Sequence, residues 1–363
     1  MTGTDAIEVR PRPLAELHRS LHGEVASLPG GVEIIRHYGD PAGEHRSLRE
    51  GVGLYERPWS ETLELAGEDR ARFLHGLVSC DVKALAAGQG TWGFVTEAKG
   101  HVLADATILA GDERLLLEVP AGTAPALREH LARYVITDRV EILPGSAEVV
   151  LALLGPRTTE ALSTVGAEGA PGATWAHRRI EIAGVPVRLV REGRPRLGGV
   201  ALHAPLAGAA RLAEALLAVP GVVPVGEEAV AARRVDTGIP RFGADFGREH
   251  FPQETGLDVE GVSYTKGCYL GQEVIARIHY RGQVNHRLRG LLLDGGGDSL
   301  PPLGSALSHD GREVGRLGTA AFCFALGRPA GLAILHRHGA EPGTRLDLPA
   351  GRSAEVAELP LAE

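Results

Sequence analysis

Apolar positions along the chain follow two rhythms, one near 3.6 residues and one of two, and these divide it into elements. Leu14, Leu17 and Leu21 fall at helical spacing, and Leu28-Pro29-Gly30-Gly31 is expected to end that helix. Asp40 to Glu44 reads as a turn, with Ser47 as the N-cap of a short helix ending near Gly51 or Gly53. Strands are then predicted over 62–66, 91–96, 102–109, 114–119 and 140–143, with helices over 68–78 and 126–134. A second αβ unit follows. It has a strand over 149–154, a helix over 157–162, a Gly/Ala/Pro loop over 166–173, and a hairpin of 180–182 and 185–190 turning at Ala183-Gly184. A strand over 199–203 and a helix over 209–218 complete it.

From 229 to 290 the chain concentrates polar groups, aromatics and Gly with little periodicity. Chemistry tends to sit on such irregular stretches, held by a rigid scaffold. The tail changes style again, with short strands over 288–293, 305–308, 313–318, 331–335 and 344–348. Asp310-Gly311 is its strongest hairpin signal. Strands at this spacing predict a small β-barrel or sandwich, with a boundary near residue 286.

Composition narrows the function classes. The 363 residues are 44% hydrophobic and 23% charged, enough for two or three cored domains and against wholesale disorder. The net charge is −8, so no global field draws phosphates, and direct nucleic-acid binding is not expected. Cys80, Cys268 and Cys323 are too few and too scattered for a disulfide framework or a zinc site, which points to a reducing compartment. No N-terminal apolar run and no stretch of about 18 apolar residues exist, so neither a signal peptide nor a membrane span is expected. The expected location is cytoplasmic.

Three stretches could carry chemistry. The first is Lys266-Gly267-Cys268-Tyr269-Leu270-Gly271-Gln272-Glu273, followed by Val274, Ile275 and Ile278 on one helical face. A cysteine on a Gly-flanked turn before a helix N-terminus, with Lys266 two residues away, has two features that favour thiolate. Gly267 and Gly271 permit close backbone approach to a ligand. The bland alternative is a buried core cysteine, with Glu273 as ordinary first-turn acid. The second stretch is 97–106, where Asp105 lies in a strand among apolar neighbours, either on a solvent face or held by a partner. The third is 233–245, where Arg234 and Arg241 could meet a carboxylate through the guanidinium fork or merely pair with nearby Asp. Asp245-Phe246-Gly247 lacks the companions of a kinase motif, and His336 with His338 lacks a third ligand. No metal site is expected.

The octapeptide at 266–273 resembles the signature of the YgfZ branch of folate-binding proteins, which are similar to the aminomethyltransferase (T-protein) of the glycine cleavage system. Residues 69–109, with Phe73-Leu74 and Asp81-Val82, resemble that family's early block, and 234–245 its R-x-[DE]-x-G-x-P stretch. The resemblance implies an α+β, multi-subdomain, aminomethyltransferase-like fold around a central channel. Its parts would be an N-terminal segment 1–45, a folate-binding region 46–285 of two interleaved αβ subdomains, and a C-terminal β-barrel 286–363. It implies tetrahydrofolate or a derivative as cofactor, and the candidates in this chain to hold it are Asp105, Arg234, Arg241, Gly267, Tyr269, Gly271, Gln272 and Glu273. It further implies a role in assembly or repair of iron–sulfur clusters, with client enzymes that include radical enzymes modifying tRNA. In that role Cys268 would be the reactive group and Lys266 its helper.

Two departures accompany the likeness. The paired acids of aminomethyltransferases, the first of which serves folate chemistry, are here Ala104-Asp105. The segment that brings a pterin-binding Glu in those enzymes corresponds to Arg194-Pro195-Arg196-Leu197-Gly198-Gly199, which holds no acid. Asp105 and Glu273 are the candidates to replace it. The primary expectation is therefore a folate-dependent accessory protein. The alternatives are a folate-dependent aminomethyl or methyl transferase, and a binding module with a vestigial pocket.

Overall fold

A strand covered on both faces reads as a continuous apolar run, because successive side chains point to opposite sides. Val102–Ala110 is such a run but for Asp105 and Thr107, and each of its residues is buried. The computed structural model describes residues 13–27, 32–167, 171–194, 196–282, 284–296 and 300–362. In chain order the elements are α1 (Ala15–Ser20), β1 (Val25–Ser27), β2 (Glu33–Ile35), α2 (Pro41–Glu50), β3 (Val52–Glu56), β4 (Ser60–Ala66), α3 (Arg70–His75), β5 (Gly90–Thr96), β6 (Val102–Ala110), β7 (Arg114–Pro120), α4 (Ala124–Ala132) and β8 (Glu141–Pro144). They continue with β9 (Glu148–Leu154), α5 (Thr158–Thr164), β10 (His177–Ile182), β11 (Val185–Arg191), β12 (Val200–Pro205), α6 (Ala209–Leu217), β13 (Val222–Pro224), α7 (Glu227–Thr237), α8 (Asp258–Gly261) and α9 (Gln272–Arg281). The last are β14 (His286–Leu293), β15 (Ala306–His309), β16 (Arg312–Cys323), β17 (Arg328–His336), β18 (Arg345–Leu348) and β19 (Arg352–Ala357).

Two large sheets, a barrel and a two-stranded β1-β2 ribbon organise these elements. One sheet runs β5-β6-β7-β4-β8, all antiparallel. The other runs β10-β11-β12-β9-β3-β13, antiparallel except where β13 joins β3. Their inner faces meet through Leu109 and Leu116 on one side and Val150, Val190 and Ala201 on the other. Helices cover the outer faces. Phe73, Leu74, Leu127 and Leu131 pack on the first sheet, and Leu162, Leu212 and Leu216 on the second. The tail closes into a barrel of order β14-β17-β16-β15-β18-β19, with β19 pairing back onto β14. The architecture is thus α+β with a small C-terminal barrel, as expected. No described helix is long and apolar enough to cross a membrane.

Turn chemistry was legible in the sequence. Ala183-Gly184 and Asp310-Gly311 both have positive φ at both positions, as a two-residue hairpin requires. Other expectations need correction. The helix expected to be capped by Ser47 starts seven residues earlier: Asp40 accepts the Gly43 N–H at 2.9 Å and Pro41 opens the first turn, so Ser47 lies inside it. Asp followed by Pro is the stronger start, since both suit the donor-rich first turn. The helix expected over 68–78 stops at His75, because Val78 leaves it to bridge Val95. Helix α1 ends at Ser20, and the stop at 28–31 lies outside the described residues, as do 168–170 of the loop at 166–173. α7 falls in the stretch read as irregular. It buries Glu227, Arg234 and Asp236, and polar residues on a packed face erase the apolar period. The closing strand β19 was also missed, since only pairing with β14 and β18 makes it a strand.

Candidate functional site

After β3 the chain passes through Arg57-Pro58-Trp59 into β4 and so crosses from one sheet to the other. Beside this crossing lies a hollow of about 410 Å³, counted out to its open mouth. Its polar wall is Tyr55, Arg57, Trp59, Arg196, Arg234 and Arg241. Leu154, Leu197, Val230, Ile239 and Pro240 make the rest apolar. The guanidiniums of Arg57, Arg196 and Arg241 stand 5.1, 5.3 and 5.5 Å from the Trp59 ring centroid, within cation–π range.

Each of the four guanidiniums is answered by acid. Arg57 donates two bonds to Glu192, at 2.9 and 2.6 Å, and one to Glu118 at 3.0 Å. Arg196 pairs with Asp105 at 3.4 Å, Arg241 with Glu227 at 2.6 Å, and Arg234 with Asp245. Tyr55 donates to Glu227 and accepts from Trp59 Nε1 at 3.0 Å. Burial and the Glu227 charge hold the Tyr55 phenol well above its usual range, so it stays protonated. Burial pulls Arg234 down while Asp245 opposes it. Two donors are left over. Nε of Arg57 and Nε of Arg196 are buried and meet no acceptor among the described residues. A buried unmatched N–H costs about 1–3 kcal/mol, so these atoms suit a ligand acceptor.

The alternation of β6 decides which acid faces this side. Asp105 stands opposite Phe94 of β5 and accepts from Trp92 Nε1 at 3.1 Å. Both this contact and that of Arg196 reach Oδ2. Ala104, one residue earlier, turns the other way into the core with Leu65, Val95 and Ala106. An acid at 104 would therefore point into apolar packing. Its replacement by Ala removes nothing from the side of the hollow, which corrects the weight placed on that departure.

The octapeptide lies elsewhere. Lys266 spends all three of its donors on the carbonyls of His75, Val78 and Cys80, at 2.6, 2.7 and 2.8 Å. Burial pushes its amine down to about 8. The ammonium also lies 4.9 Å from the ring centroid of Tyr269, a buried residue whose phenol burial pushes up to about 12. Cys268 is exposed and precedes the α9 N-cap, Gly271, by three residues; it is not among the residues lining the hollow. Gly267 is exposed, and a Cβ there would meet only His75 Nε2, at 3.9 Å. Gly271 has φ +85°, and a Cβ there would meet the Glu97 carbonyl at 2.5 Å. The glycine thus lets α9 abut the 97–100 turn. Thr96 Oγ1 donates to the Leu270 carbonyl at 2.7 Å and fastens the same junction. Gln272 and Glu273 open α9, with Glu273 exposed.

The structure therefore divides the candidates. Arg234, Arg241 and, through Arg196, Asp105 gather at the hollow. Lys266, Gly267, Cys268, Tyr269, Gly271, Gln272 and Glu273 form a second place against the 75–80 and 97–100 turns. Sequence reasoning missed Tyr55, Arg57, Trp59, Glu118, Glu192 and Glu227. The one local signal was Tyr55-Glu56-Arg57-Pro58-Trp59, which crowds two aromatics and two charges into five residues of a chain only 4% aromatic.

Known proteins share this architecture. The GCVT N-terminal domain model matches residues 23–262, and the glycine cleavage T-protein C-terminal barrel domain matches 286–362. The aminomethyltransferase of Symbiobacterium thermophilum is 27% identical, covering 96% of this chain and 96% of its own length. The tRNA-modifying protein YgfZ of Vibrio vulnificus is 29% identical, covering 85% of this chain and 89% of its own length. The crystal structure of the glycine cleavage system aminomethyltransferase T from Bartonella henselae superposes with a TM-score of 0.84 at 21% identity, over 97% of this chain and 98% of that one. That likeness is one of fold.

Proposed function

Given that the chain belongs to the glycine cleavage T-protein (GCVT) family, we propose that it is a YgfZ-type protein that binds tetrahydrofolate, or a derivative, in the arginine-lined hollow. The observation that carries this reading is the pair of unpartnered buried Nε donors, on Arg57 and Arg196, beside the Trp59 ring. A folate offers the matching chemistry: a flat ring system to lie against an aromatic face, and carbonyl and carboxylate oxygens to accept. Arg234 and Arg241, held by Asp245 and Glu227, present fixed cationic edges to the carboxylate tail. Asp105, held by Trp92 and Arg196, would be the acid that receives pterin N–H donors. Tetrahydrofolate would supply a carrier for one-carbon units, and the protein's part is to hold and orient it. Calorimetry with 5-formyltetrahydrofolate tests this. Measurable heat is expected; none at about 500 μM ligand, where even a ~100 μM site would be mostly filled, overturns it.

Within this reading the protein supports assembly or repair of iron–sulfur clusters, and its partners are the client enzymes. Cys268 is an exposed thiol outside the hollow, where a protein partner could reach it. Soft thiolate suits iron. One sulfur is short of the four that usually hold a cluster, so the contact would be transient or shared. Cys268→Ala is expected to abolish complementation of a strain lacking the gene while keeping folate binding. Full complementation by that variant would remove the cysteine from the mechanism.

A second reading, folate-dependent aminomethyl transfer, is favoured by one observation: the acid of the Ala104-Asp105 pair that faces the side of the hollow is the one retained. Formation of methylenetetrahydrofolate from an aminomethyl donor, lost in Asp105→Asn, would establish it.

A further inference from the structure

Between the two sheets, behind the Arg57 wall of the hollow, lies a buried ionic cluster that ligand contact alone does not account for. His203 of β12 is fully enclosed. Its Nε2 lies 3.4 Å from Glu118 of the facing sheet, and its Nδ1 lies 3.7 Å from Glu148 of β9. These are close ion pairs without aligned hydrogen bonds. Glu118 takes Arg57 and Ser60 on Oε1 and faces His203 with Oε2. Three carboxylates, Glu118, Glu148 and Glu192, thus surround one guanidinium and one imidazole. Two further groups face the imidazole from its own sheet: Arg188, its register partner on β11, and His177 of β10.

We propose that His203, as a buried imidazolium, is a positioning residue for the hollow: it neutralises Glu118 and so keeps the Arg57 guanidinium in the Glu192 fork with Nε left for the ligand. The inference rests on the folate reading of that hollow. Its logic is competition. Arg57 Nη1 is shared between Glu118 and Glu192. Without the imidazolium, Glu118 keeps only Arg57, among the described residues, as a cationic partner in direct contact and draws it out of the two-bond fork. In a cluster this buried, such a redistribution is weakly screened. Burial alone would keep His203 neutral, but the two carboxylates outweigh it and push the imidazole up to about 9. Glu118 is correspondingly held far below its ordinary range: burial would raise it, and Arg57 and His203 overcome that.

The test is calorimetry with 5-formyltetrahydrofolate between pH 7 and 10, on the full chain and on His203→Gln. Wild-type affinity should be flat to about pH 8 and fall through about 9, the value at which His203 deprotonates. His203→Gln should bind about tenfold more weakly at pH 7, with that inflection gone. Lys266, whose amine burial pushes down to about 8, is present in both proteins, so its contribution cancels in the comparison. Binding by the variant within twofold of wild type, with the same pH profile, overturns the proposal. If the wild type binds no folate, the folate reading fails and the Arg57 Nε–H resonance decides. A midpoint near pH 9 in wild type upholds the positioning role, and a resonance unmoved between pH 7 and 10 overturns it. That measurement on the wild type also decides if His203→Gln does not fold.

Discussion

At the scale of single residues, burial and the partners in reach set what each charged side chain does. Lys266 reads as a cation beside a cysteine, yet it is a three-carbonyl clamp on the 75–80 turn. Replacing it by Met should cost about 1–3 kcal/mol, because those carbonyls lose their shared donor. A lowered melting temperature with the fold retained is the expected result. Its pH dependence has a definite sign. Burial lowers the amine from 10.5 to about 8, so between these values the unfolded chain binds more protons and wild-type stability rises with pH. Lys266→Met should lose that rise. His203 acts in the opposite direction. Its pKa goes up from 6.5 to about 9, so its contribution is full below about 6.5 and disappears as pH passes 9. Melting curves of Lys266→Met and His203→Gln at pH 7 and pH 10 separate the two.

At the scale of elements, periodicity found β6, α9 and the barrel hairpin, because apolar spacing and turn residues act locally. It could not find α7, whose polar residues are buried by pairing with distant ones: Asp236 with His45, Glu227 with Tyr55 and Arg241. Strand alternation also carries a prediction. Ala104→Asp, which would restore the paired acids, should destabilise by several kcal/mol and add no transfer activity, since its carboxylate would enter apolar packing. Urea denaturation and a methylenetetrahydrofolate assay check the two halves. At the other end of the same junction, Gly271→Ala puts a methyl group against the Glu97 carbonyl at positive φ. A loss of about 2 kcal/mol or more is expected, with faster hydrogen exchange at the start of α9.

At the scale of the whole molecule, Asp245 helps fasten the barrel to the hollow, beside a direct bond of 3.3 Å from Arg234 Nη1 to Thr319 Oγ1. Asp245 binds Arg234 and accepts the Thr319 N–H of β16 at 2.6 Å, and Gly318 leaves room for that approach. Asp245→Asn strips a buried guanidinium of its charge partner. A cost of about 3–5 kcal/mol is expected, with weaker folate binding, read by denaturation and calorimetry. By itself the sequence determined the α+β class, the barrel-forming tail, the hairpin turns and the family, since propensity, spacing and motif are carried by neighbouring residues. Only the tertiary structure decided that Cys268 and the arginines occupy different places. It alone turned position 105 rather than 104 toward the side of the hollow, and it alone assembled Arg57, Trp59, Glu118, Glu192 and His203 around it. Those groups come from separate strands and loops, and their chemistry resides in burial and mutual charge, which exist only once the sheets have closed on each other.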